Sequence, residues 1–298
     1  MSDRVSVVVM TSISDNVNYY NKYRHHYWDS ICKAVRRCTE TVDVTVCFRV
    51  FGTVFDADRI MADTTYLRMF ENVKIDVKVL RGTGPARGTL LKEAFQFDPD
   101  FYTFMDFDDA IGKSYFDSFV PVSQRGYEQI IAMPVREYNK LIIPKNYLHW
   151  VPKLDDTLHT FLVSERYGHM IWGRFFSREL VNRVLPLIDP SYDRIGWGEE
   201  YKLLNLLLYS TSDISAIGIC NSLYKWNYGD ETSLSKNIHK STAIDNITES
   251  LKVVPDAYRE DVAQMYHTLL QRCIDKPSDL SQYNSSEQLE FDFNSSED

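Results

Sequence analysis

The chain has 298 residues, 44% of them hydrophobic and 25% charged, and a formal net charge of −9. That length and apolar share suffice to bury a substantial core in one large domain, or one domain with appendages, and exclude a wholly disordered chain. Aromatic residues reach 13%, with 19 Tyr and 16 Phe, a share that suits clefts and platforms as well as a core. The cysteines, Cys32, Cys38, Cys47, Cys220 and Cys273, are odd in number and none forms a CxxC pair. They suggest neither a disulfide framework nor a zinc knuckle, and reduced thiols are expected.

The first predicted element is a buried strand over Val5–Met10. This apolar run is too short for a membrane helix and lacks a cleavage-type flank. With no other stretch of membrane-spanning length, the expectation is a soluble, cytoplasmic protein without membrane insertion. Val17–Cys38 reads as a long polar and aromatic helix. Val42–Phe48 alternates with period two, and Val73–Leu80 does the same. Ala86–Phe95 has helical composition and follows a Gly82-Thr83-Gly84-Pro85 turn, and Phe101–Met105 is a short apolar strand. Strands separated by helices predict an α/β fold with a mainly parallel, twisted sheet flanked by helices. Ligands of such sheets sit beyond the carboxyl ends of the strands, where the strand order reverses. Ile244–Cys273 reads as one or two amphipathic helices closing the domain, and Lys276–Ser278 as a boundary. Beyond it lie Asp279, Glu287, Glu290, Asp292, Glu297 and Asp298 with no Lys or Arg, so this tail carries six of the nine net negative charges. It reads as disordered, and the global charge does not exclude a nucleic-acid partner.

Asp106-Phe107-Asp108-Asp109 leaves the predicted strand at its C-terminal end. Three carboxylates within four residues repel one another unless a cation or hydrogen-bond donors compensate. Hard oxygen ligands of this kind suit Mn²⁺ or Mg²⁺, which bind one or two carboxylates and complete their shell with phosphate oxygens and water. The bland alternative is a solvated acidic turn or helix cap. Upstream stands Gly84-Pro85-Ala86-Arg87-Gly88. Downstream come Trp172-Gly173-Arg174-Phe175-Phe176-Ser177-Arg178-Glu179, Gly196-Trp197-Gly198-Glu199-Glu200, and Leu223-Tyr224-Lys225-Trp226 leading to Ser233.

This ordered series resembles the family-2 glycosyltransferases of the GT-A fold, over roughly residues 4–240. The sequence departs from the family pattern at Gly88, where the family has Asn, and at Glu200, where it has Asp. The resemblance implies a GT-A domain over 1–243, a helical extension over 244–276 and the acidic tail over 277–298. It implies a metal-dependent, inverting transfer of sugar from a nucleotide-diphosphate sugar, with UDP-sugar favoured. By the same resemblance Asp106 and Asp108 take the donor and metal positions, Arg87 the donor pocket, and Glu200, with Glu199 beside it, the catalytic base. His239 is a further metal candidate, Asp56 and Asp58 are candidates for the donor nucleoside, and Asp109 either orients the other aspartates or binds acceptor. Trp172 and Trp197 are candidate stacking platforms at the acceptor, weighed against ordinary core roles. His169 has a structural or exposed role as its favoured reading, and His25-His26 has no assignment.

The stretch from Arg136 to Lys153 carries Lys140, Lys145 and Lys153 interleaved with Tyr138, Tyr147 and Trp150. This composition fits a nucleic-acid or phosphate-bearing acceptor, the alternative being a solvated amphipathic hairpin. A modified DNA base, such as a hydroxymethylated one, and a glycan are the two acceptor classes that remain. A nucleotidyltransferase on the same type of fold and a non-catalytic interaction protein are the rival readings.

Overall fold

The computed structural model of the protein describes residues 4–52, 56–81, 86–136, 170–192, 197–209, 217–226 and 239–275. Strand β1 (Val5–Ser14) is central because its apolar run is buried through Val7, Val8, Val9 and Met10, with no polar face. Asn16 then caps helix α1 (Val17–Val35) by accepting the Tyr19 N–H at 3.0 Å. Tyr20, Tyr23, Tyr27, Ile31 and Ala34 recur at helical spacing and bury one stripe of α1 against the sheet. There follow β2 (Val42–Phe51), α2 (Ala57–Asp63), β3 (Val73–Leu80), α3 (Arg87–Phe95) and β4 (Phe101–Phe104). β1 pairs in parallel with β2 on one side and β4 on the other, and β2 pairs in parallel with β3. The parallel βαβ half is therefore as the residue pattern predicts.

The second half is mixed. It comprises β5 (Ala110–Ile111), α4 (Tyr115–Ser123), β6 (Gln129–Arg136), β7 (Arg174–Ser177), α5 (Arg178–Val184), α6 (Glu200–Tyr209), β8 (Ile217–Trp226), α7 (Lys240–Leu251) and α8 (Asp256–Asp275). The sheet order is β3-β2-β1-β4-β7-β6-β8-β5. β7 runs antiparallel to both β4 and β6, and β8 runs parallel to β6. Four residues bearing an Arg and a Ser give β7 too little pattern to be read as a strand, although all four are buried.

Two consequences position the site. The chain builds outward from β1 to β2 and β3, then returns to β4 on the other flank of β1. The strand order thus reverses between the carboxyl ends of β1 and β4, the place where ligands of such sheets bind. Because β6 runs with β4 while β7 runs against it, β6 ends and β7 begins at this same edge.

α7 and α8 continue the body. Ala243, Ile247, Val254, Val262, Tyr266, Leu269 and Leu270 belong to the same core cluster as the strands. None of the five cysteines, all of them among the described residues, forms a disulfide, and burial pushes Cys38 and Cys47 up to about 12 and Cys220 up to about 11, which keeps these three protonated and unreactive. No helix among the described residues is long and apolar enough to cross a membrane.

The opposite end of the sheet is clamped by Asp100. Its carboxylate accepts the Ser6 N–H and hydroxyl, both at 2.8 Å, and the Arg178 Nη2–H at 2.8 Å. Burial opposes its charge, but these donors and the Arg178 field outweigh burial and hold the carboxyl below its usual range. A depressed carboxyl stabilises the fold above its unfolded pKa of about 4, and the contribution is lost as pH falls through the folded value. Asp100→Asn should therefore lower the thermal midpoint at neutral pH, and the gap from the native protein should close in acid. Melting curves across the acid range check this, and a constant gap would refute the charge argument.

Candidate active site

The chain leaves β4 at Phe104 and turns, with the Asp109 N–H donating to the Asp106 carbonyl at 3.1 Å. The turn alternates: Asp106 and Asp108 are partly exposed, while Phe107 and Asp109 point inward. Phe107 is the anchor. Its ring stacks on Tyr20 at 5.3 Å and packs against Tyr27 at 4.9 Å and Phe48 at 5.4 Å. Thr11, on β1, donates to the Met105 carbonyl at 2.8 Å and also contacts the Tyr27 hydroxyl. An aromatic cage and a hydrogen bond thus fix the root of the turn that carries the two outward carboxylates.

Asp109 is only 1% exposed. The Tyr224 hydroxyl, from β8, donates to its Oδ2 at 2.6 Å and accepts the Asp106 N–H at 3.0 Å. One phenol therefore ties the first and last aspartates of the cluster together. Trp172 stacks on the Tyr224 ring at 4.8 Å and 20°. Gly173 has φ +69°, and a Cβ there would lie 3.0 Å from Tyr224 Cγ, so only glycine lets the ring sit this close.

Arg87 opens helix α3 and reaches the turn, its Nη2 lying 2.9 Å from Asp106 Oδ1 with the guanidinium over the Phe104 ring. Its side chain is 16% exposed and that of Asp106 is 35% exposed. Burial works against the Arg87 charge, yet the fields of Asp106, Glu200 and Glu199 outweigh burial and raise its pKa. Glu200, the first residue of α6, is thus near enough for its field to reach the same guanidinium. Burial raises the Glu200 carboxyl above its usual range; Arg87 and a backbone hydrogen bond pull it down, and the Asp106 field adds to burial. Tyr19, from the first turn of α1, hydrogen-bonds Asp108. Burial, then the fields of Asp108, Asp106 and Asp109, push its phenol far up, so it stays a donor.

The other candidates take the following places. Asp56 caps α2, accepting the Asp58 N–H at 2.9 Å, and Asp58 is exposed in the first turn. His239 is exposed at the cap of α7. Among the described residues no three His, Cys, Asp or Glu side chains are grouped to hold a metal ion, so Asp106, Asp108 and His239 do not form one ligand trio. Trp172 is buried beneath Tyr224, and Trp197 packs edge-on against Tyr201 at 5.3 Å. Lys140, Lys145, Lys153 and His169 lie outside the described residues.

No protein-family model matches the sequence, and no curated protein matches it. Solved structures do. Residues 1–349 of S. aureus TarS, a family-2-like glycosyltransferase, in complex with UDP-GlcNAc superpose with a TM-score of 0.60 at 15% identity, covering 96% of this chain and 77% of that one. The same TarS segment in complex with UDP gives 0.54 at 13% identity, with 91% and 92% covered. A longer TarS structure gives 0.53 at 14% identity, and this chain spans about half of it, 55%.

The chain has the GT-A fold.

Within the GT-A sheet, sequence reasoning picks out Arg87, Asp106, Asp108 and Glu200, and the structure brings Arg87 together with Asp106 and the Glu199–Glu200 pair. It passes over Tyr19 and assigns Tyr224 no role. Tyr19 belongs to the predicted Val17–Cys38 helix and Tyr224 to the late Leu223–Trp226 motif, and in both settings a tyrosine ordinarily reads as packing. The available signal is positional, since Tyr19 follows the carboxyl end of β1 and so flanks the switch point. Tyr224→Phe removes the donor to a buried carboxylate and should cost about 1–3 kcal/mol of stability. Denaturant titration measures it, with Tyr224→Phe in an Asp109→Asn background expected to lose less because the charge is gone.

Proposed function

We propose that the chain is a metal-dependent, inverting glycosyltransferase that moves a sugar from a nucleotide-diphosphate sugar to an acceptor hydroxyl. The observation that carries this reading is one turn at the carboxyl end of β4 with two partly exposed carboxylates, Asp106 and Asp108, a guanidinium at 2.9 Å from the first, and Glu200 near enough for its field to reach that guanidinium. UDP-sugar is the favoured donor because the TarS structures of the same fold hold UDP-GlcNAc and UDP.

The residues fit a divalent cation. Arg87 engages Oδ1 of Asp106 while the side chain stays partly exposed, and Asp108 faces the same side of the turn. Mn²⁺ or Mg²⁺ takes one or two such carboxylates and leaves its other positions to phosphate and water. When bound, the ion supplies charge neutralisation for the diphosphate leaving group. The chain's own residues do the rest. Arg87 offers a planar fork for phosphate or sugar oxygens and holds Asp106 in place. The Tyr19 and Tyr224 hydroxyls hold Asp108 and Asp109 in fixed orientations. Glu200 accepts the acceptor hydroxyl's proton as that oxygen attacks the anomeric carbon from the face opposite the diphosphate, which inverts the configuration.

Glu200→Gln should lower turnover by about 10²-fold or more while leaving donor affinity within a few fold. The base must be ionised, and its pKa is raised, so the acid limb of the pH–rate profile should lie above the ordinary glutamate value of about 4.3 and vanish in the variant. A crippled Glu199→Gln beside a mild Glu200→Gln would move the base by one residue.

The acceptor side is assigned to the Arg136–Lys153 stretch, whose basic and aromatic composition favours a modified DNA base over a glycan. Incubation with UDP-sugar, Mn²⁺ and either hydroxymethylated duplex or simple saccharides tests the whole reading. Transfer with release of UDP is expected, abolished by chelation and by Asp108→Ala in a folded protein. Full activity in excess chelator removes the metal, transfer to saccharide alone removes the DNA acceptor, and release of pyrophosphate identifies a nucleotidyltransferase.

A further inference from the structure

The turn that delivers Glu200 is held from behind by the two C-terminal helices. Gly198 stands at φ +79°, and a Cβ there would lie 2.9 Å from Tyr201 Cε2, so the Tyr201 ring fills the inside of the turn. The Tyr201 N–H donates to the Gly198 carbonyl at 3.1 Å. Tyr266, on α8, lies flat on the Tyr201 ring at 4.1 Å and 3°. Its hydroxyl donates to Asn205 Oδ1 at 2.7 Å, and Asn205 Nδ2 donates to the Ser250 carbonyl of α7 at 3.1 Å. Asn246, also on α7, donates to the Trp197 carbonyl at 3.0 Å. Tyr201, Asn205, Asn246 and Tyr266 are all buried.

An apolar layer would pack between these helices with less desolvation. A hydrogen-bonded polar layer instead favours one arrangement, because a shift that breaks these bonds leaves further buried groups unmet beside Asn246 Oδ1, which already has no partner among the described residues. That arrangement is centred on the turn itself: one tie reaches the residue before Gly198 and one stack reaches the residue after Glu200. The Glu200 charge is also felt at both ring hydroxyls, where burial and then neighbouring groups including Glu200 hold the phenols protonated.

We propose that Tyr266 is a positioning residue for the Glu200 carboxylate, clamping the Trp197–Glu200 turn through Tyr201 together with Asn246. The C-terminal helical pair is thereby part of the catalytic apparatus. The catalytic part of this inference rests on the base assigned to Glu200 above, and the placement of the turn can be read without it.

The test uses the full chain with Tyr266→Leu and Tyr266→Phe, each alone and combined with Glu200→Gln. Tyr266→Leu should lower kcat about tenfold or more at unchanged donor KM, the expected consequence of a displaced reacting group. Tyr266→Phe keeps the ring and should restore most of the loss. In the Glu200→Gln background Tyr266→Leu should cost nothing further, because the two act as a unit. Acrylamide quenching of Trp197, taken as the difference from each protein's Trp197→Phe counterpart, should rise in Tyr266→Leu and not in Tyr266→Phe. Should Tyr266→Leu fail to fold, Asn246→Ala cuts the second tie and should give the same kcat loss and the same rise in quenching. Native kcat in the Leu variant, an equal loss in the Glu200→Gln background, or unchanged quenching overturns the proposal. Native turnover by Glu200→Gln itself overturns the base assignment instead, and a rise in Trp197 quenching then still supports the clamp.

Discussion

Like charges crowded into four residues set the terms for this site. Two unit charges about 5 Å apart repel by about 3 kcal/mol at an effective dielectric of 20, so Asp106, Asp108 and Asp109 require compensation from outside the turn. Each receives it from a different element: Arg87 from α3, Tyr19 from the start of α1, Tyr224 from β8. No local segment can supply all three. Compensation therefore depends on the sheet order that brings the ends of β1, β4 and α3 to one edge, and on β8 arriving from the far side of the sheet. The turn and the tertiary structure specify each other.

The compensation is largely phenolic. Tyr20 donates to Asp63, Tyr224 to Asp109 and Tyr266 to Asn205, while Tyr27 meets Thr11 beneath the turn. A phenol brings an apolar ring that gains from burial and one hydroxyl that satisfies an oxygen, with no second charge to desolvate. The abundance of tyrosine in the composition acquires a physical meaning here, because the same rings that build the core also carry the donors for its buried polar groups.

Much of this is legible in the sequence. Val5–Met10, Val42–Phe48 and Val73–Leu80 are β-branched runs, and strands form over all three: β1 and β2 are mostly buried and run past the predicted ends, while the edge strand β3 keeps its predicted bounds and is mostly half-buried. Asp106, Asp108, Arg87 and Glu200 stand out because charge at the end of an apolar strand or beside a glycine turn is chemically conspicuous. What the residues do not reveal is direction. Nothing local tells that Asp109 points inward to Tyr224 while Asp108 points outward, or that Trp172 covers a tyrosine rather than a sugar. β7 is missed because four buried residues carry no period, and its antiparallel sense is a property of its neighbours. Asp56 resembles a ligand in sequence and serves as a helix cap, since a carboxylate two residues before an exposed amide suits both roles.

The antiparallel placement of β7 bears on how such a protein can change over time. Arg136 closes β6 and β7 opens soon after Met170, and both lie at the carboxylate edge of the sheet. The chain therefore leaves and re-enters the sheet at one edge, and Met170, Ile171 and Trp172 at the point of return are buried in the core. Each doubling of a flexible insertion adds only about 0.6 kcal/mol of closure entropy. Segments of other lengths and compositions can therefore be exchanged between those two points while the strands, the aspartate turn and the tyrosine donors stay untouched. Such a frame can accept wholesale replacement of one segment, a recombinational route to change that point substitution in the sheet could not follow.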